Sequence, residues 1–454
     1  MASDNNYTNK PTGLKIIFRS LQYRNYRLFF GGQSISLIGT WIQRIALPWL
    51  VYSLTGSAFL LGVVSFASLI PSFLLAPFAG VLTDRWNRYH ILIATQILAM
   101  IQALILTLLF FAGMIEVWHI IFLSLLLGCI HSFDIPARQS LVVEMVEKKE
   151  DLANAIALNS LMFNGARLLG PSIAGVLIAS AGEGICFLLN ALSYLFIIAS
   201  LLLMKVKLQK REIQSANVIQ DLKEGFSYTF GFSPIRSIIL LLALISLMGF
   251  PYIVLMPVFA KEILHGGPHT FGFLMGASGV GALMGAVYLA SRRSVFGLEK
   301  IIPLSVCILG FGLIAFSLSR FFLLSLVLIL ITGLGMMLEL ASSNTILQTI
   351  VDDNKRGRVM SFYMLALMGT APFGSFLAGG LADILGAPNT LLIGGIACIL
   401  GAIIFASKFK DLKKIIHPIY ASLGIIPEVA VGIQKATELT PQNNFTSKLQ
   451  RPQI

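Results

Sequence analysis

The feature that most constrains this 454-residue chain is its run of long apolar stretches. Several exceed the roughly 18 residues that carry a helix across a bilayer. Twelve spans are expected, near residues 27–52, 58–83, 89–113, 117–136, 155–180, 184–204, 237–260, 268–290, 301–319, 321–343, 359–382 and 388–407. Hydrocarbon offers no partner to an open backbone, so stretches of this length and period are read as helices. The expected fold class is therefore an all-α membrane protein. Only 12% of residues are charged, about half the share usual in soluble domains.

The formal charge of +12 needs its placement before it means anything. With the N-terminus inside, the cytoplasmic segments hold 29 of the 33 Lys and Arg residues, counting Arg27 at the cytoplasmic edge of the first span. Lys261 and Arg320 fall outside, while Arg44 and Arg167 lie within spans. That asymmetry is an orientation signal, and nucleic-acid binding is not needed to explain it. The stretch up to Gln22 is polar and basic without an apolar core, so no signal peptide is expected. Cys129, Cys186, Cys307 and Cys398 sit in four different spans without metal-ligand or disulfide-framework spacing, and read as small apolar fillers.

The polar segment 205–236 divides the spans six and six, giving a segment 1–26, bundles 27–204 and 237–407, and a tail 408–454. The halves align internally. An offset of 205 lays Gly128 on Gly333, Asp134 on Glu339, Val146 on Val351 and Gly80 on Gly285; an offset of 204 lays Gly170, Gly175 and Gly182 on Gly374, Gly379 and Gly386. This indicates two pseudo-symmetric six-helix bundles, a plan that places substrate between the halves near the midplane. Glycines concentrate in the fifth, eighth and eleventh spans, where small residues let backbones approach.

Gly80-Val-Leu-Thr-Asp84-Arg85-Trp-Asn-Arg88 follows the second span. It resembles the signature loop of the major facilitator superfamily, with Asn87 in place of the second glycine. The resemblance implies that Gly80 permits close helix contact. It also implies that Asp84 faces the positive N-terminus of the eleventh helix, beside Arg85. Arg88 would pair with a carboxylate at the end of the fourth span, for which Asp134 is available, with Arg138 one turn on. Leu289 stands where the second half would repeat the Asp, so this gate should be one-sided. Pro136 is expected to end the fourth helix. Gly170-Pro171-Ser-Ile-Ala-Gly175 resembles the antiporter motif of exporters in this superfamily, with the spacing of its last glycine changed.

Arg44, beside Gln43, and Arg167, close to Asn164, lie near the middle of the first and fifth spans. An uncompensated Arg at the bilayer centre costs roughly 2.5–3.5 kcal/mol on insertion scales, so such residues usually line a cavity. Trp41 shares a helical face with Arg44. Trp41, Gln43, Arg44, Asn164 and Arg167 are thus expected to form a positive, aromatic lining for an anionic solute. Arginines tied to backbone carbonyls or a neighbouring carboxylate are the alternative.

The runs Tyr26–Ser57, Phe133–Gln139 and Asn164–Pro171 resemble one branch of the superfamily, which contains the enterobactin exporter, macrolide efflux proteins and the lysophospholipid transporter. The resemblance implies a monomeric proton-coupled exporter in the bacterial inner membrane, and the Lys and Arg placement puts both termini in the cytoplasm. A small molecule would be its cargo and a proton gradient its energy source, with no cofactor, metal or catalytic centre. A siderophore leads as cargo; macrolide or multidrug efflux and lysophospholipid flipping are the alternatives. Asp134 and Glu339 are the candidates to carry the coupling proton. The tail holds a basic cluster and a stretch suited to a short interfacial helix, but no thirteenth span is expected.

Overall fold

The computed structural model describes residues 18–205, 218–292, 294–408, 418 and 420, and every regular element among them is helical. The first six spanning helices are α1 (Arg24–Thr55), α2 (Ala58–Arg85), α3 (Arg88–Phe111), α4 (Val117–Glu144), α5 (Lys149–Ala181) and α6 (Glu183–Leu202). The second six are α7 (Ser233–Ile263), α8 (Pro268–Ser291), α9 (Leu298–Leu318), α10 (Phe322–Ile350), α11 (Asn354–Leu385) and α12 (Ala387–Ser407). Among the described residues, eleven helices are long and apolar enough to cross a membrane, and α1 is long enough at 32 residues. Gln33, Ser36, Thr40, Gln43 and Arg44 dilute its apolar character, for a reason that the site explains below. The protein is a multi-pass membrane protein of twelve spanning helices.

Turns are set locally. Gly56, at φ 63°, closes α1, and Ser57 caps α2 by accepting from the Leu60 N–H at 3.3 Å. Only glycine adopts such a left-handed φ without strain.

The repeat is real but its offset changes along the chain. The starts of α2 and α8 (58 and 268) and of α3 and α9 (88 and 298) differ by 210. Those of α4 and α10 (117 and 322) differ by 205, and those of α6 and α12 (183 and 387) by 204. The change falls at α9 and the turn after it, which are shorter than their counterparts. Contacts agree. Gly128 of α4 meets the backbone of Ser68 in α2, and Gly333 of α10 meets that of Ser278 in α8. Gly80 therefore corresponds to Ala290, since 80 + 210 = 290, and its match to Gly285 is a coincidence of spacing. Asp84 corresponds to Ser294 rather than Leu289 (84 + 210 = 294), so the second half still lacks the carboxylate.

Helix ends differ from expectation on the side bearing the linker. Pro136 lies inside α4, which runs on to Glu144. Proline removes the one backbone bond to the Ser132 carbonyl, whereas the added turns bury Ala137, Leu141 and Val142. The loss of one bond is outweighed by that burial. α5, α10 and α11 likewise extend beyond their apolar runs.

Two polar attachments brace this side. A short 3-10 helix, Arg19–Gln22, lies against α5. There Gln22 and Tyr23 donate to the Asp151 carboxylate at 3.0 and 2.6 Å, and Arg19 pairs with it. The bond to Asp151 raises the Tyr23 phenol above its ordinary pKa. The amphipathic linker helix, Val218–Gly231, lies against α11 through Arg358–Glu224 at 2.8 Å and through Phe226 and Phe230 on Phe362. The expected interfacial helix of the tail lies outside the described residues.

The halves meet along two seams. In one, Phe59, Phe66 and Phe73 of α2 pack on Phe373 and Phe376 of α11 at centroid distances of 5.6–6.0 Å. Gly62 crosses Gly379 there. In the other, α5 meets α8 with few side chains between them: a Cβ on Gly175 would stand 3.0 Å from the Gly272 Cα. The described ring and glycine contacts between halves lie on the side opposite the linker, reaching about mid-depth. The space between the halves therefore opens toward the linker side.

Candidate functional site

Arg44 stands at this opening. It is exposed although it lies two-thirds of the way along α1, and its guanidinium sits 5.1 Å from the Trp41 ring centroid. An exposed cation at that depth faces water rather than lipid. Trp41 meets Phe163 of α5 edge-on at 6.1 Å, and Gly170 gives the indole room by bearing no Cβ. Arg167, one turn beyond Phe163, is half-buried; it lies within electrostatic reach of Arg44 and of Tyr252 in α7. Asn164 is half-buried beside them and donates to the Ser160 carbonyl at 2.9 Å.

Gln43 departs from expectation. Its side chain is turned into the N-terminal bundle, is 3% exposed, and bonds Gln102 of α3 at 3.1 Å and Asn190 of α6 at 2.8 Å. Two residues along a helix is about 200° of rotation, so Gln43 cannot share the face of Trp41. It ties three helices together where lipid cannot satisfy amides.

The Arg88–Asp134 pairing also gives way to another. Arg88 pairs with Glu144, in the last turn of α4, at 2.8 Å. Asp134 sits more than two turns deeper, 4% exposed, accepting from Gln96 at 2.6 Å and Thr95 at 3.1 Å. Its other oxygen is 3.5 Å from Arg138. The difference follows from α4 continuing past Pro136, which brings a nearer carboxylate to Arg88. Gly80, Asp84 and Arg85 belong to the last turns of α2, but the side chains of Asp84 and Arg85 lie outside the described residues.

Arg44 also feels the charge of Arg138, and His131 feels those of Arg44, Asp134 and Arg138. Among the described residues named here, the guanidinium groups of Arg44, Arg138 and Arg167 stand against the single tied carboxylate of Asp134, an excess of positive charge. Neither Gln96, Thr95, Gln102 nor Asn190 was legible as part of this network, although each is a polar residue inside an apolar run.

Pro171 and Gly175 lie on the face of α5 that crosses α8, where a Cβ on Gly272 would meet the Pro171 carbonyl oxygen and the Gly175 backbone, whereas Gly170 faces Trp41 of α1. Glu339 is fully buried inside the C-terminal bundle. Ser343 donates to one of its oxygens at 3.0 Å, and the other has no partner among the described residues.

With the site in place, comparison with known proteins decides the family. The family model described as transmembrane secretion effector matches residues 17–417. The chain belongs to this family, within the major facilitator superfamily. Among its relatives, this secretion effector is 28% identical to the staphyloferrin A transporter of Staphylococcus aureus, over 85% of the chain and 97% of the relative. It is 23% identical to macrolide efflux protein A of Streptococcus pyogenes, over 87% and 99%. Its fold is that of a peptide transporter of the POT type (TM-score 0.70, 11% identity, 86% and 95% covered). It is also that of a bacterial homologue of the iron transporter ferroportin (0.64, 20%, 85% and 98%). The secretion effector is accordingly a membrane transporter of the efflux kind.

Proposed function

We propose that this secretion effector is a proton-coupled exporter of a small anionic solute such as a siderophore. The observation that carries the reading is the exposed Arg44 beside Trp41 at the opening, with Arg167 within its electrostatic reach. An excess of positive charge in a low-dielectric space favours anionic cargo over neutral or cationic cargo. The relation to a staphyloferrin A transporter points the same way.

The linker side is taken as cytoplasmic from its Lys and Arg content, in a bacterial cell membrane. Cargo then enters from the cytoplasm in the conformation described, and one monomer is the working unit. Asp134 is the first candidate for the coupling proton, because protonation would release Arg138 toward the opening. Glu339, buried without a cationic partner among the described residues, is the second. Gly80, Asp84, Arg85 and Arg88 act as the gate on the cytoplasmic side.

The exposed Phe163 ring and Trp41 beside the arginines favour, as a second reading, amphiphilic drugs of the kind named for the macrolide efflux relatives. The deciding experiment is deletion of the gene with profiling of extracellular solutes under iron limitation, then proteoliposome flux of whatever disappears. Loss of an anionic chelator supports the leading reading. Loss of a neutral amphiphile or of a lipid-remodelling product replaces it.

A further inference from the structure

Each half buries one carboxylate at the same place in its repeat, and the two are furnished differently. Asp134 of α4 corresponds to Glu339 of α10 at the offset of 205. Around Asp134, Gln96 and Thr95 of α3 donate at 2.6 and 3.1 Å, and Arg138 stands 3.5 Å away as its cation. At the offsets of 210 for α3 with α9 and 205 for α4 with α10, Thr95, Gln96 and Arg138 become Ser305, Val306 and Ser343. The second half therefore carries the carboxylate without the amide donor and without the arginine.

Contacts place Glu339 inside its own bundle. It lies one turn along α10 from Gly335, where a Cβ would meet the Ser305 carbonyl oxygen of α9 at 2.8 Å. Tyr363 of α11 and Cys398 of α12 are within its electrostatic reach. Four helices thus enclose a fully buried side chain, and α10 itself holds no Lys or Arg. The nearby hydroxyls are mostly engaged elsewhere. Tyr363 donates to the Leu340 carbonyl at 3.0 Å and Ser305 to that of Ile302 at 2.8 Å. Ser343 donates to Glu339 Oε1 at 3.0 Å.

Two oxygens are left over. Glu339 Oε2 has no hydrogen-bond partner among the described residues, and neither has the hydroxyl of Ser342, which is also fully buried. Three residues along a helix is about 300° of rotation, so both side chains leave α10 on nearly the same face, yet they do not bond each other. A proton on Oε2 would add a buried hydroxyl without an acceptor, and it would do nothing for Ser342. A bare carboxylate is costlier still, since a buried charge needs a counter-charge or a metal ion. A cation between the two oxygens satisfies both. One carboxylate balances one positive charge, and carboxylate and hydroxyl oxygens suit a hard ion.

We infer that Glu339 and Ser342, with Ser305 beside them on α9, form a sodium site enclosed in the C-terminal half. The ion does for Glu339 what Arg138 does for Asp134. The first half thus carries a tethered cation on its buried carboxylate, and the second an exchangeable one. This goes beyond the reading of the opening as an anion path, does not depend on it, and leaves the coupling proton to Asp134.

The test uses the purified full chain in detergent at fixed pH and chloride concentration, with sodium replaced stepwise by choline. The thermal unfolding midpoint should rise with the logarithm of sodium concentration, because an ion held only by the folded state stabilises it by mass action. Glu339→Gln keeps the size of the side chain and should abolish the response. Ser342→Ala should move the response to several-fold higher sodium. Radioactive sodium should titrate the unaltered chain to a single ion, and should not bind Glu339→Gln.

Identical unfolding in sodium and choline overturns the inference, as does a sodium response that Glu339→Gln retains. Stabilisation by falling pH with no sodium binding, lost in Glu339→Gln, would assign a proton to Glu339 and discard the sodium site. Should Glu339→Gln fail to fold, sodium binding by the unaltered chain and its weakening in Ser342→Ala still decide. Neither measurement needs a cargo. An absence of anion export would leave this site standing, and an absence of sodium binding would leave the anion reading standing.

Discussion

Gln43 and Arg44 are neighbours in sequence and meet opposite surroundings. Arg44 faces the water of the opening; Gln43 joins α1 to α3 and α6. Their substitutions should therefore separate cleanly. Gln43→Ala leaves two buried amides unsatisfied, which costs about 1–3 kcal/mol for each unpaired group. Thermal unfolding in detergent should move down by several degrees, with the anion preference of the opening intact. Arg44→Gln should leave that unfolding unchanged and lower export flux about 10- to 100-fold, as expected when a charged hydrogen bond worth about 1.5–3 kcal/mol is lost. Equal unfolding shifts for the two variants would remove the distinction. At this scale the sequence was readable for cations and unreadable for carboxylate partners. An arginine in an apolar run announces a cavity by its cost, whereas Asp134 and Glu144 differ only in depth, and depth depends on where α4 ends.

At the scale of the helices, the two glycine crossings set what the side opposite the linker can do. Gly62 against Gly379 and Gly175 against Gly272 bring backbones together with no side chain between them. Gly175→Ala or Gly379→Ala inserts a methyl at 3.0 Å or less from the facing Cα. Overpacking of this sort costs about 1–3 kcal/mol, and the conformation described here bears that cost. Both variants should shift the population several-fold toward the state open on the other side, read as faster labelling of a cysteine at Tyr52 from outside the cell. Unchanged labelling in both would sink the idea. Phe66→Ala should act in the same direction by removing two ring contacts. Helix number and the duplicated plan were legible because hydrophobic length and glycine spacing survive in the sequence. The register of α2 against α8 was not, since a five-residue difference in α9 and its turn leaves no mark on composition.

For the whole molecule, most described polar groups bond within their own half, and Tyr52 of α1 with Lys261 and Glu262 of α7 makes a polar contact between halves on the side opposite the linker. The described side-chain hydrogen bonds of Gln43, Asp134 and Asp151 stay in the first half, and those of Glu339 and Tyr252 in the second. Between halves, rings and backbone crossings make up the two seams, with Tyr52, Lys261 and Glu262 beside them. A protease site placed within residues 206–217 should therefore yield two fragments that remain associated in mild detergent. Added Phe373→Ala and Phe376→Ala should release them. Release by cleavage alone would show that the linker, and not the seams, unites the halves.

The two seams are also unlike each other, and this has a mechanical consequence. Parting α2 from α11 must separate four ring pairs, while parting α5 from α8 exposes little beyond backbone and small side chains. A flat, smooth crossing can pivot with its contacts kept; interlocked rings must come apart together. The molecule should therefore swing like a door, with α5 and α8 as its hinge post and the phenylalanines as its closing edge. The solute would leave past that edge.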